Sequence, residues 1–129
     1  MEFKVSLAKL VDELKMEVIY TPIPIEEVMV TNADVNRPGL MLAGFYEYFD
    51  PSRLQILGKV EMSFLDGLDK QDRNQRLHTF IATKPTAIVL SRDLTAYPEM
   101  MEYVKEFGVP LLESSENTSA LMSAIISIL

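Results

Sequence analysis

Ala87-Ile88-Val89-Leu90-Ser91-Arg92-Asp93, followed after a short loop by Tyr97-Pro98-Glu99-Met100-Met101-Glu102-Tyr103-Val104-Lys105-Glu106-Phe107-Gly108-Val109-Pro110-Leu111-Leu112, decides the fold class. The first four residues form a buried-type apolar run of strand length, and Ser91-Arg92-Asp93 ends it. Pro98 suits a helix start, and Met100, Met101, Val104 and Phe107 recur at helical spacing. Gly108 sits where a helix turns into the left-handed region, and Val109 to Leu112 reads as the next strand. Strand, helix and strand in this order make a crossover unit, expected to be right-handed.

Outward from this unit the same alternation continues. Ser6 is a plausible N-cap for a helix from Leu7 to Lys15, with Leu7, Leu10, Val11 and Leu14 on one face. Val18-Ile19-Tyr20 and Val28-Met29-Val30 read as short strands, separated by the Pro22 and Pro24 loop. Pro38 suits the first position of a short helical segment over Leu40 to Ala43, which Gly44 ends. Leu54 to Leu57 reads as a strand closed by Gly58. Glu61 to Ala82 is mostly helical, broken near Gly67, and residues 69–76 contain nothing apolar and are expected to be solvated. Ser114 to Thr118 supplies the cap of a last helix. Strands alternating with helices favour an α/β layered domain with a mixed, largely parallel sheet.

Composition bounds the chemistry. With 129 residues the chain is expected to be a single domain. It has no Cys and one His, which excludes thiolate nucleophiles, Cys-ligated metals and multi-His metal sites on this chain. The net charge is −7, spread evenly along the sequence, which argues against a nucleic-acid partner or an anionic membrane surface. No signal peptide is visible, and the charge-free run from Asn117 to Leu129 is too short to span a bilayer, so a cytoplasmic location is expected.

The five glycines, Gly39, Gly44, Gly58, Gly67 and Gly108, match neither a dinucleotide fingerprint nor a P-loop. His78 reads as a surface residue of a helix, with nothing nearby to complete a triad. Glu26-Glu27 and Asp69/Asp72 read as solvated carboxylates rather than an acid/base pair. Asn36-Arg37-Pro38-Gly39 carries more. Backbone N–H groups at a helix start attract anions and Arg37 adds a guanidinium fork, so Asn36 and Arg37 are candidate ligand-binding residues. The alternative is a structural turn, with Pro38 setting the helix start and Asn36 capping it. In the aromatic block, alternation sends Phe45 and Phe49 one way and Tyr46 and Tyr48 the other. The methionines Met100, Met101 and Met122 read as core filler. The last helix carries apolar residues on more than one face and ends without a cap, as though a longer protein continued.

Several of these stretches together resemble a known family. They are Asp34-Val35-Asn36-Arg37-Pro38-Gly39-Leu40, Leu42-Ala43-Gly44-Phe45, Tyr48-Phe49-Asp50-Pro51 and the run from Arg53 to Glu61. Pro85, Ala87-Ile88 and Gly108-Val109-Pro110-Leu111-Leu112 fit as well. The chain resembles, over essentially its whole length, the N-terminal domain of bacterial HPr kinase/phosphorylase. The resemblance implies a three-layer α/β/α sandwich, similar to the N-terminal domain of the peptidoglycan precursor ligases. It implies a cytoplasmic, homohexameric parent that phosphorylates a serine of HPr with ATP or pyrophosphate and Mg²⁺, removes that phosphate by phosphorolysis, and controls carbon catabolite repression. The P-loop, the catalytic residues and the HPr contacts would lie in a C-terminal kinase domain absent from this chain. No cofactor is therefore expected here. Asn36, Arg37, Pro38, Gly39 and Gly44 fall in the shared motif, to which the resemblance assigns no chemistry. Three readings remain open: a non-catalytic assembly or regulatory domain, a sensor of a nucleotide or sugar phosphate, and a protein-interaction module.

Overall fold

A computed structural model describes residues 4–129. The elements in chain order are β1 (Val5–Ser6), α1 (Leu7–Leu14), β2 (Glu17–Tyr20), a 3-10 turn (Ile25–Glu27), β3 (Met29–Val30), β4 (Val35–Asn36), α2 (Gly39–Leu42), β5 (Leu54–Leu57), α3 (Lys59–Asp66), α4 (Lys70–Ala82), β6 (Ile88–Leu90), α5 (Pro98–Phe107), β7 (Leu111–Glu113) and α6 (Thr118–Ile128). Five strands form one sheet in the order β2-β7-β6-β5-β4, and β1 and β3 form a separate two-stranded ribbon. β4, β5, β6 and β7 run parallel, and only β2 joins antiparallel, on β7.

The side-chain alternation of the strands divides the core in two. Leu57, Ile88, Leu90 and Leu111 face α2, α3, α4 and α5 through Leu42, Leu65, Leu77, Phe80, Ile81 and Val104. Leu54, Ile56, Val89 and Leu112 face α1 and α6 through Leu7, Leu10, Leu121 and Ile125. The result is the expected three-layer α/β/α sandwich with a mixed, largely parallel sheet. All helices between parallel strands lie on one face, so the sheet is wound in a single direction.

Local chemistry explains most element ends. Ser6 Oγ accepts from Lys9 N–H, Asp69 Oδ1 from Asp72 N–H, and Asn117 Oδ1 from Ala120 N–H, capping α1, α4 and α6. Gly108 ends α5 at φ 68°, as its position predicts.

Four expectations need correction. Pro38 occupies the cap position of α2, not its first helical residue, and no side chain caps this four-residue helix. Asn36 lies in β4, and its amide donates to Gln55 Oε1 at 2.7 Å instead of capping α2. The aromatic block is a turn, with Phe49 N–H donating to Tyr46 C=O, so period-two alternation does not apply. Tyr46 and Phe49 meet edge to face at 5.6 Å and pack on the core, whereas Phe45 and Tyr48 are exposed. Finally, residues 69–76 are not all solvated. Arg73 stacks over the Tyr97 ring at 4.5 Å, and Arg76 donates to Asp72 and to the Leu42 carbonyl.

Candidate functional site

The carboxyl ends of β4, β5, β6 and β7 form one edge of the sheet, where the chain leaves each strand at Arg37, Gly58, Ser91 and Ser114. In parallel α/β sheets this edge is where ligands are usually met. Here it holds a dense polar cluster.

Arg37 leaves β4 and crosses to the first turn of α3. Its Nε donates to Glu61 Oε2 at 3.0 Å and its Nη2 to Glu61 Oε1 at 2.5 Å. Glu61 is 3% exposed, so the pair is buried on its acidic side. The same Oε1 accepts the Gly58 N–H at 2.8 Å, which satisfies the amide of the residue that caps α3. Glu61 therefore binds its own helix start and Arg37 together.

Gly58 stands between these groups and α6. A Cβ there would fall against Thr118 Oγ1 and 2.9 Å from Arg37 Nη2. Its backbone is extended, at φ −115°, so the requirement for glycine is one of space and not of backbone freedom. Thr118 Oγ1 lies 2.7 Å from Ser91 Oγ, and both residues are buried. Arg92 and Asp93 follow Ser91 at φ 56° and 55°, two successive left-handed residues without being glycine. Their N–H groups donate to Glu116 C=O and Ser114 C=O, which ties the β6–α5 loop to the β7–α6 loop.

Beyond this cluster opens a cleft of about 490 Å³, lined by Arg37, Lys59, Val60, Ser63, Arg92, Thr118 and Ser119. The structure brings Arg37 to this cleft. Asn36 is not among its lining residues, because its amide is engaged with Gln55. Pro38 is buried, and Gly39 starts α2. Gly44 follows α2 at φ 107° and lines a different, smaller hollow between α2 and α4. The cation of that hollow, Arg76, is already engaged with Asp72 and Leu42.

Sequence reasoning missed Glu61, Ser91, Arg92 and Thr118. Glu61 carried a usable signal: a Glu three residues after Gly58, at a helix start, is the spacing of a capping box. The others come from loops that only the sheet order brings together. His78 is an exposed helical residue, as expected, edge to face with Tyr103 and Phe107. Among the described residues no group of three or more His, Asp or Glu is arranged to hold a metal ion. None of their helices is long and apolar enough to cross a membrane.

Comparison with known proteins agrees with this architecture. Residues 5–129 match the family model described as HPr Serine kinase N terminus. The chain is 36% identical over 121 residues to an HPr kinase/phosphorylase of Clostridium botulinum, covering 94% of this chain and 39% of that protein. It is 37% identical over 121 residues to the HPr kinase/phosphorylase of Streptococcus agalactiae, with the same coverage of 94% and 39%. The chain thus spans well under half the length of these relatives. Among solved structures, the CBS and DRTGG domains of the regulatory region of Clostridium perfringens pyrophosphatase, complexed with the activator diadenosine tetraphosphate, share the fold. The TM-score is 0.68 and the identity 15%, over 96% of this chain and 47% of that one. Since the family model covers residues 5–129, nearly the whole sequence, this chain belongs to the N-terminal domain family of the HPr serine kinases.

Proposed function

We propose that the chain is the non-catalytic, assembly and regulatory N-terminal domain of a bifunctional HPr serine kinase/phosphorylase acting in carbon catabolite regulation. The observation that carries this reading is the junction between β5 and α3. Phosphoryl-transfer sites of α/β proteins leave backbone N–H groups at such a junction free to hold phosphates. Here the Gly58 N–H is taken by Glu61, and Thr118 and Arg37 crowd the Gly58 Cα where a side chain would stand. That the chain spans 39% of its relatives supports assigning the chemistry to the remainder of a longer parent. ATP or pyrophosphate, Mg²⁺ and HPr then belong to a C-terminal kinase domain, with which this domain associates inside a cytoplasmic homohexamer.

The test is direct. The purified chain is incubated with HPr, Mg²⁺ and either ATP or pyrophosphate, and phosphoserine is read by mass spectrometry. No phosphoserine is expected from the chain alone, and association with a separately produced kinase domain is expected by light scattering. Phosphoserine formed by the chain alone overturns the reading.

A further inference from the structure

We infer that the cleft between the first turns of α3 and α6 is a binding site for a small phosphorylated organic molecule, held by Arg37, Lys59 and Arg92. The inference deepens the regulatory reading above by naming the chemistry of an effector.

Charge is the first argument. The chain carries −7 overall, yet three cationic side chains converge on this one cleft, and no carboxylate is among its lining residues. Arg37 is oriented by Glu61 and keeps further guanidinium N–H donors. Lys59 and Arg92 make no ion pair among the described residues. Two unspent cations beside a fixed guanidinium suit a dianion better than a carboxylate.

The second argument is how the cations are held. The site does not rest on the two capped amides at these helix starts, because Gly58 N–H is satisfied by Glu61 and Ala120 N–H by Asn117. Side chains supply it. Arg92 sits in a left-handed conformation that its loop enforces through the Glu116 and Ser114 carbonyls. Sparsely populated backbone of this kind persists where the surroundings over-determine it, and it clusters at functional sites.

Shape is the third. The volume of about 490 Å³ falls within the range of small-molecule sites, roughly 300–1,000 Å³. Ser63 and Ser119 offer hydroxyl donors. Val60, 70% exposed, provides an apolar wall for the part of the ligand that is not phosphate.

Isothermal titration and thermal shift of the purified chain test this, at low ionic strength in a phosphate-free buffer. The probes are inorganic phosphate, a nucleoside monophosphate and glucose 6-phosphate. At least one organic phosphate is expected to bind and raise Tm by several degrees near saturation. Tighter binding of the nucleotide or of the sugar phosphate identifies which moiety rests on Val60. Binding is expected to weaken about tenfold or more in Lys59→Ala and in Arg92→Asn, the latter chosen because Asn tolerates the left-handed region. Both residues are exposed, so unfolding does not confound the result. No binding by any organic phosphate, or binding that stays as tight as the native chain's in both variants, overturns the site. The HPr assay above decides the regulatory reading separately, since it reads phosphoserine and not ligand binding.

Discussion

Arg37 at the end of β4 grips Glu61 in the first turn of α3 through two parallel hydrogen bonds, and the same carboxylate accepts the amide that opens the helix. One buried acid thus joins an edge strand, a helix start and the rim of the cleft.

Removing either partner is expected to be costly, and unequally so. Arg37→Ala leaves the carboxylate of Glu61, 3% exposed, without its counter-charge. Glu61→Ala leaves an arginine that is a third exposed and can turn to water. The loss of stability should be about 3 kcal/mol or more for Arg37→Ala and nearer 2 kcal/mol for Glu61→Ala. Urea denaturation midpoints at constant slope measure both. A larger loss for Glu61→Ala would contradict the burial argument.

Gly58→Ala should destabilise by about 1–3 kcal/mol, because the added methyl group meets Thr118 and Arg37. Pairing it with Thr118→Ala should recover part of that loss, and a double-mutant cycle reads the coupling. Additive losses would mean that the two sites are not in contact.

Glu113 faces Glu17 directly across the antiparallel β2–β7 pair. Burial, together with the charges of Glu17 and Asp93, raises its pKa above the ordinary carboxylate value. The folded state therefore holds this proton more tightly than the unfolded state does. Its contribution is favourable only at low pH, and stability falls as pH rises from about 4 through the raised value. Glu113→Gln should raise Tm by a few degrees at pH 7 and leave it unchanged near pH 3, where the native Glu is protonated in both states. An unchanged Tm at pH 7 would refute the repulsion.

Lys15 and Lys84 follow α1 and α4 at φ 53° and 54°. Lys15→Gly and Lys84→Gly should each stabilise the protein by about 0.5–1 kcal/mol, since glycine adopts this conformation without the Cβ clash. Thermal denaturation of the single variants checks it; destabilisation would show that the lysine stems contribute packing that outweighs the strain.

Much of the fold was readable from local chemistry. The unit from Ala87 to Leu112, the caps at Ser6 and Asn117 and the break at Gly67 all depend on neighbours in sequence. The misreadings share a cause. The helix-cap reading of Asn36 fails because β4 has only two residues, too few to show a period, and its Gln55 partner lies nineteen positions away. Phe45 to Phe49 imitates strand alternation, although Tyr48 sits at φ 65° in a turn. The cleft joins Arg37, Lys59, Arg92 and Thr118 from four separate segments. Of these only Arg37 stood out in sequence, because the others acquire their meaning from the sheet order.

The pairing of β2 with β7, and the packing of α1 and α6 around Leu7, Leu10, Leu121 and Ile125, join elements far apart in sequence. The parallel neighbours β4, β5, β6 and β7 pair across much shorter separations. The antiparallel edge therefore closes the largest loop of the sheet and carries its greatest loop-closure entropy. Contacts of high sequence separation slow folding, so this edge weighs most on the folding rate.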